Sequence, residues 1–203
     1  MEAKMYLPTG SETLYITEIL IGNGDSRIGF LFLNLDGERP VYRDRRIVLF
    51  SDVQDAEKAL RCSNCGAGIL TRVPEEIENE IDFSLALEDL TQSIRQAGKP
   101  IENPGNFLDC LQFLVDIYFD TIHPTSLPQQ TGSAASGELK IPVSPEEIPD
   151  RFYRVLFCAS QFFMFETDLQ AFTLETSWEV CDLRDALKFA LGDLLLNAYF
   201  LGD

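Results

Sequence analysis

Two turn dipeptides divide the first third of the chain into three segments typical of β-strands. Asn23-Gly24 and Asp36-Gly37 are the dipeptides that best accept the positive φ angles of a tight hairpin turn. Because the segments between them are rich in β-branched and aliphatic residues, we predict a three-stranded antiparallel meander. The middle segment is apolar on both faces, so both faces should be covered. The three segments are 13–22, 27–35 and 41–50.

A helix and a further strand are predicted directly after the meander. Ser51 and Gln54 have the spacing of a capping box, so we expect Ser51 to cap a helix that ends near Leu60. The short apolar stretch at 69–73 could add a strand to the sheet. These elements predict a first module over residues 1–73, with three or four antiparallel strands and one helix.

The apolar spacing changes at Pro74 to one that is typical of helices. Ile77, Ile81 and Leu85 recur at every fourth position and predict a helix that begins at Pro74 and ends at about Gly98. Three further helices are expected from their apolar faces, beginning near residues 103, 144 and 179. Residues 74–203 are therefore predicted to be a mostly helical part of about four helices, and the fold class to be α+β.

The later helices are unusually apolar, and a polar segment precedes them. The expected helix from residue 144 includes Phe162, Phe163 and Phe165 and is apolar nearly all round. If aromatic side chains on these helices are exposed, a homodimer or a partner helix is implied. The segment at about 123–143 is rich in Ser, Thr, Gln, Gly and Pro, and we expect it to be a mobile loop.

The negative charge of the chain is concentrated in the predicted helical part. The formal net charge is −17. Residues 1–70 contain eight basic and ten acidic side chains, whereas residues 71–203 contain eight and 23. Such a field repels the phosphate backbone, so we expect no duplex nucleic acid ligand, and an anionic membrane surface is disfavoured for the same reason.

The sequence favours a soluble cytoplasmic protein with reduced thiols. No apolar run approaches the roughly 18–20 residues that span a bilayer, and no apolar signal segment follows Met1. Five cysteines are an odd number in a chain large enough to fold without disulfides.

Cys62 and Cys65 form the sharpest chemical motif. Two thiolates at this spacing can hold one side of a tetrahedral zinc ion, and Gly66 permits the tight turn that follows. A redox role needs a thiol at a helix N-terminus, whereas Cys62 falls at the end of a predicted helix. Three interpretations stay open: unligated thiols in a turn, a metal site completed by other residues, or redox chemistry. We expect no resident cofactor, with zinc as the alternative.

The other groups that could carry chemistry have simpler structural interpretations. Three cysteines fall on or beside apolar helix faces, and the single histidine, His123, falls at a helix end. Neighbouring carboxylates could bind divalent cations, although a solvated acidic helix face is the favoured interpretation. The cysteines are Cys110, Cys158 and Cys181, and the carboxylates are Glu88 with Asp89, Asp109 with Asp116 and Asp120, and Asp182 with Asp185.

One cluster of arginines stands out in the nearly neutral first module. Arg39, Arg43, Arg45 and Arg46 lie on the second predicted hairpin and its third strand. In a single strand Arg43 and Arg45 would point to one face and Arg46 to the other. We expect these side chains to form salt bridges with the acidic helical part; a role in partner binding is the alternative.

The sequence supports two hypotheses about function. The first is a non-enzymatic interaction or regulatory module, such as a toxin-neutralising protein, whose acidic helical surface binds a basic protein partner. The second is a metal- or thiol-dependent enzyme that uses Cys62 and Cys65.

Overall fold

The computed structural model has two compact units, Met1–Ala86 with Asp193–Asp203, and Leu87–Gly192. It describes residues 5–6, 14–23, 26–35, 39–40, 42–43, 46–62, 79–96, 99–121 and 145–201. The strands are β1 (Met5–Tyr6), β2 (Leu14–Asn23), β3 (Ser26–Leu35), β4 (Arg39–Pro40), β5 (Tyr42–Arg43), β6 (Arg46–Phe50), β7 (Asn79–Asp82) and β8 (Tyr199–Leu201). The helices are α1 (Val53–Cys62), α2 (Phe83–Arg95), α3 (Pro104–Thr121), α4 (Arg151–Phe163), α5 (Leu169–Thr176) and α6 (Val180–Asn197), with a 3₁₀ turn at Pro145–Glu147.

The first unit is built on a mixed sheet, and the α+β class is confirmed. β2 pairs with β3 in antiparallel register from Leu14 opposite Leu35 to Asn23 opposite Ser26, and β3 pairs antiparallel with β6. The predicted antiparallel meander is therefore present. Each side of it is extended by a short parallel strand, because β7 pairs with β2 and β8 pairs with β6.

Residues 79–82 are a strand, so the prediction of one helix from Pro74 is wrong at these positions. Ile81 is buried and lies beside Ile19 in the parallel β7–β2 pair. A spacing of four residues satisfies the two-residue repeat of a strand as well as a helical repeat, so Ile77 and Ile81 could not distinguish them. The helix starts only at Phe83, where Asp82 Oδ1 accepts a hydrogen bond of 3.0 Å from the Leu85 amide.

The predicted third strand, 41–50, folds as two strands that pair with each other. β5 lies antiparallel to β6, with Tyr42 opposite Ile47 and Arg43 opposite Arg46. The apolar half of the segment forms β6, whose last four residues are buried. The polar half therefore turns back instead of continuing the strand.

Two helices use a different N-cap from the predicted one. Asp52, not Ser51, caps α1, because its Oδ1 accepts a hydrogen bond of 2.8 Å from the Asp55 amide. In α4 the cap is Asp150, whose carboxylate accepts from the amides of Phe152 and Tyr153. The expected start at residue 144 gives only a 3₁₀ turn, since a residue before proline disfavours helix and Pro149 follows Ile148.

The second unit packs helices around an aromatic core. The predicted apolar face of α3 is buried along its length. Phe107 of α3 meets Phe163 of α4 edge to face at 5.1 Å, and Tyr118 stacks on Tyr153 at 3.8 Å. These pairs attach α3 to α4.

The end of the chain also differs from the single helix expected over about 179–201. α6 stops at Asn197, and residues 199–201 form β8. The first compact unit therefore takes in Asp193–Asp203. Division of the chain into 1–73 and 74–203 as folding domains stays a prediction, and the expected strand at 69–73 and the loop at about 123–143 lie outside the described residues.

Among the described residues, no helix has both the length and the apolar character needed to cross a bilayer.

Candidate interaction surface

The structure places three of the four predicted arginines on short strands. Arg39 belongs to β4, Arg43 to β5 and Arg46 to β6, and Arg45 lies outside the described residues. Because Arg43 and Arg46 belong to separate strands and lie opposite each other, the alternation expected for one strand does not apply to them. Arg46 is exposed. A salt-bridging or partner-binding role for these arginines stays a prediction.

The two cysteines of the Cys-x-x-Cys motif are only partly within the described chain. Cys62 is the last residue of α1, and Cys65 lies outside the described residues. Within the described residues, no group of three His, Cys, Asp or Glu side chains is arranged to hold a metal ion. Zinc binding and redox chemistry at this motif stay predictions.

The three helical cysteines differ in exposure. Cys110 is buried, Cys158 is half-buried and Cys181 is exposed. Burial raises the pKa of the Cys158 thiol, and a hydrogen bond with the Trp178 side chain offsets part of this effect. A thiol that stays protonated near neutral pH is a poor nucleophile. His123 lies outside the described residues.

Asp89 is buried and holds neighbouring backbone in place rather than lying on the surface. It is 4% exposed, and its Oδ2 accepts hydrogen bonds of 3.2 Å from the amides of both Glu102 and Asn103, directly before α3. Burial raises the pKa of this carboxyl, while the two amides act in the opposite direction. Asp89 therefore fixes the start of α3.

Other predicted carboxylates lie on exposed helix faces. Asp109 and Asp116 are exposed residues of α3. Neighbouring protein atoms nevertheless remove part of the water around the Asp109 carboxyl, which raises its pKa. Asp182 bonds Arg151 at 2.7 Å, and Asp185 bonds Arg184 at 2.7 Å. The carboxylates at the start of α6 are thus balanced by arginines.

The charge balance is different around α5. No Lys, Arg or His occurs between Arg154 and Arg184. Four carboxylates in this interval are exposed, namely Glu166, Asp168, Glu175 and Glu179. Within the described residues, none of the four takes part in an ion pair. In the part of the chain that the structure describes, these four carboxylates therefore present negative charge without a salt bridge.

Two strongly exposed apolar side chains lie among these carboxylates. Phe165 is 88% exposed and Leu174 is 83% exposed. Burial of either side chain by a partner would release the free energy of transferring its apolar surface out of water. We call the six side chains the α5 surface; they are Phe165, Glu166, Asp168, Leu174, Glu175 and Glu179.

Local packing explains why these side chains point outward. α5 is a short helix whose buried positions are Leu169 and Phe172. The Phe172 ring packs against both Phe162 and Phe163 at the end of α4, with centroid distances of 5.6 and 5.4 Å. Because that face of α5 packs against α4, Leu174 lies on the other side of the helix.

The ends of α5 are held by local hydrogen bonds. The Asp168 carboxylate accepts from the Gln170 amide at 2.7 Å and caps the helix. Glu166 Oε1 accepts from the amides of Thr167 and Asp168 at 2.8 and 3.2 Å. At the other end Ser177 adopts a left-handed conformation, with its amide bonded to the Thr173 carbonyl. The exposed side chains therefore project from an ordered backbone.

Sequence reasoning identified the negative charge of this region but not the exposure of its apolar residues. Phe165 was expected in a helix that is apolar nearly all round, whereas α4 ends two residues earlier, at Phe163. The absence of any basic residue between Arg154 and Arg184 is the signal that was available in the sequence.

Comparisons with family models, curated proteins and solved structures give no match to this chain.

Proposed function

We propose that this chain is a non-enzymatic interaction or regulatory module of the cytosol whose acidic helical surface binds a basic protein partner. The observation that carries this proposal is the α5 surface, where four exposed carboxylates without an ion pair among the described residues flank two largely exposed apolar side chains.

Charge of this kind suits a binding role better than a role in folding. Exposed salt bridges contribute little to stability, and uncompensated like charges oppose the compact state. The same charges attract a basic partner over several ångströms and raise its association rate. These charges therefore favour association with a basic partner, whereas they do not stabilise the isolated chain.

The experiment is affinity capture from a lysate of the source cell with the full chain immobilised. Captured proteins are eluted by raising NaCl from about 50 mM to about 500 mM, which shortens the screening length several-fold, and are then identified. We expect a basic protein that elutes with salt. Four exposed glutamates are replaced in a matched bait that keeps side-chain volume: Glu88→Gln, Glu146→Gln, Glu175→Gln and Glu179→Gln.

The neutralised bait should retain much less of the same protein while keeping the circular dichroism spectrum of the original chain. Capture of only acidic or neutral proteins, or equal retention by both baits at every salt concentration, would contradict the proposal.

A further inference from the structure

We infer that the α5 surface is the docking site for the partner, and that its occupant is a basic amphipathic helix with apolar residues on one face and Lys or Arg beside them. This inference rests on the proposed function and adds where the partner binds and what the bound segment is like.

The apolar anchors are presented in a fixed geometry. The amides of Phe165 and Glu166 both donate to the Phe162 carbonyl at 3.1 Å, so the turn that carries Phe165 is held against the end of α4. Leu174 projects from a helix that is capped at both ends and packed through Phe172. Exposed side chains on an ordered backbone lose less conformational entropy when a partner covers them. Apolar anchors of this kind commonly dominate the binding energy of an interface.

The carboxylates beside Phe165 and Leu174 favour a partner segment that is positively charged. Glu166 directly follows Phe165, Asp168 lies two residues further on, and Glu175 directly follows Leu174. An acidic or phosphate-bearing partner would bring like charges together beside both anchors, and a second copy docked through the same surface would oppose its own carboxylates. A segment that places Lys or Arg beside its apolar residues instead pairs with the carboxylates while covering Phe165 and Leu174.

The two anchors are close enough along the chain for one helix to span the distance between them. From Leu169 to Leu174 the chain rises by about 7.5 Å along α5, and the four residues from Phe165 to Leu169 can extend by at most about 14 Å. The two anchors are therefore at most about 22 Å apart, the length of a helix of about 15 residues. One amphipathic helix, with its apolar residues at helical spacing, can contact both anchors.

The test uses a defined peptide rather than an unidentified partner. A fluorescein-labelled peptide of about 18 residues, composed of Leu and Lys at amphipathic helical spacing, is titrated with the full chain and followed by anisotropy. A peptide of the same composition with Leu and Lys strictly alternating is the control for non-specific attraction. We expect the helical peptide to bind more tightly and to be released by salt.

The chain offers a matched pair of variants for the apolar anchor. Leu174 and Leu196 are exposed to 83% and 85%, and Leu196 lies in the other compact unit. Leu174→Ser should weaken peptide binding about tenfold, whereas Leu196→Ser should leave it unchanged. Because both side chains are exposed, neither variant should unfold the chain.

A second matched pair tests the charges. Glu175→Gln with Glu179→Gln should weaken binding and flatten its dependence on salt, whereas Glu88→Gln with Glu146→Gln should change it much less. The single tryptophan, Trp178, lies between Glu175 and Glu179 in the sequence, so its emission should change when the unlabelled peptide binds.

The outcomes separate the docking site from the proposed function. If the peptide binds equally to the Leu174 and Leu196 variants, or if Leu174→Ser instead dissociates a dimer of the chain, the docking site is wrong, although the capture experiment can still support a basic partner. Absence of peptide binding to the unaltered chain also overturns the docking site. Failure of the capture experiment, in contrast, removes the proposed function itself.

Discussion

The rings of Phe163 and Phe172 lie 5.4 Å apart at an interplanar angle of 29°, and this stacked pair attaches α5 to the end of α4. Phe172 is fully buried by the contact, whereas Leu174, two positions later, is largely exposed. The burial of one face of this short helix thus places Leu174 on its exposed side.

Replacing Phe172 should therefore be costly. We expect Phe172→Ala to lower the free energy of unfolding by about 3–5 kcal/mol, because a buried aromatic ring is lost and a cavity remains. Phe165→Ala is the matched control, and it should change stability by less than about 0.5 kcal/mol. Chemical denaturation followed by circular dichroism measures both; a loss of similar size in the two variants would contradict the assignment of buried and exposed faces.

Replacing Ser177 with glycine should stabilise the chain. Its φ of 61° is in the left-handed region, which is unfavourable for a residue with a Cβ. We expect Ser177→Gly to raise the free energy of unfolding by about 0.5–1 kcal/mol, and Ser177→Val to lower it. Thermal unfolding of the three proteins provides the comparison, and a less stable glycine variant would count against the left-handed cap.

Asp89 should give a distinctive dependence of stability on pH. Burial raises the pKa of this carboxyl above its ordinary value of 3.8, so the folded chain favours the protonated form. The stability that protonation contributes is present below pH 3.8 and is lost as the pH rises through the folded-state pKa. Asp89→Asn keeps an acceptor for the amides of Glu102 and Asn103 but does not titrate.

The unaltered chain should therefore gain stability relative to Asp89→Asn as the pH falls from 7 towards 3.5. Denaturant titrations of both proteins across this range measure the difference in their free energies of unfolding. The contributions of the other titrating groups cancel in this difference. Asp89→Ala, which removes the acceptor, should cost about 1–3 kcal/mol at either pH. A difference between the unaltered chain and Asp89→Asn that grows with rising pH would contradict the expected sign.

Gly29 makes room for the side chain of Glu18 in the sheet. A Cβ at Gly29 would overlap Glu18 Oε1 and come within 3.4 Å of Leu20 Cδ2. Because the nearest atom is the end of a flexible side chain that can move aside, we expect Gly29→Ala to cost no more than about 1 kcal/mol, and to cost less in a chain that already contains Glu18→Ala. A double-mutant cycle measured by denaturation tests this coupling. Additive effects would show that Glu18 does not occupy the space beside Gly29.

Local chemistry made part of the fold predictable. Asn23-Gly24 predicts a tight turn from the backbone angles that it accepts, and the structure pairs Asn23 with Ser26 across β2 and β3. The apolar spacing of α3 predicts a buried face because a single period fits the whole helix. In both cases the deciding information lies within a few residues.

The elements that the sequence does not predict depend either on strands far away in the chain or on a choice between two neighbouring residues. β7 and β8 are strands because β2 and β6 lie beside them, far away in sequence. Ser51 and Asp52 are both good caps, and only the backbone path decides between them. Phe165 is exposed because α4 stops at Phe163, where the chain turns into α5. Exposure of a particular aromatic residue is thus a result of tertiary packing, which the hydrophobic pattern does not contain.

The most direct test of the account is the association rate of the basic protein retained by affinity capture. Stopped-flow measurements at about 50 mM and about 500 mM NaCl compare the unaltered chain with the variant in which Glu88, Glu146, Glu175 and Glu179 are glutamine. If the acidic surface binds this protein, the rate constant of the unaltered chain falls about tenfold or more with salt, and the variant is slower at low salt and changes less. Equal rate constants with equal salt dependence would show that the acidic surface does not bind the partner.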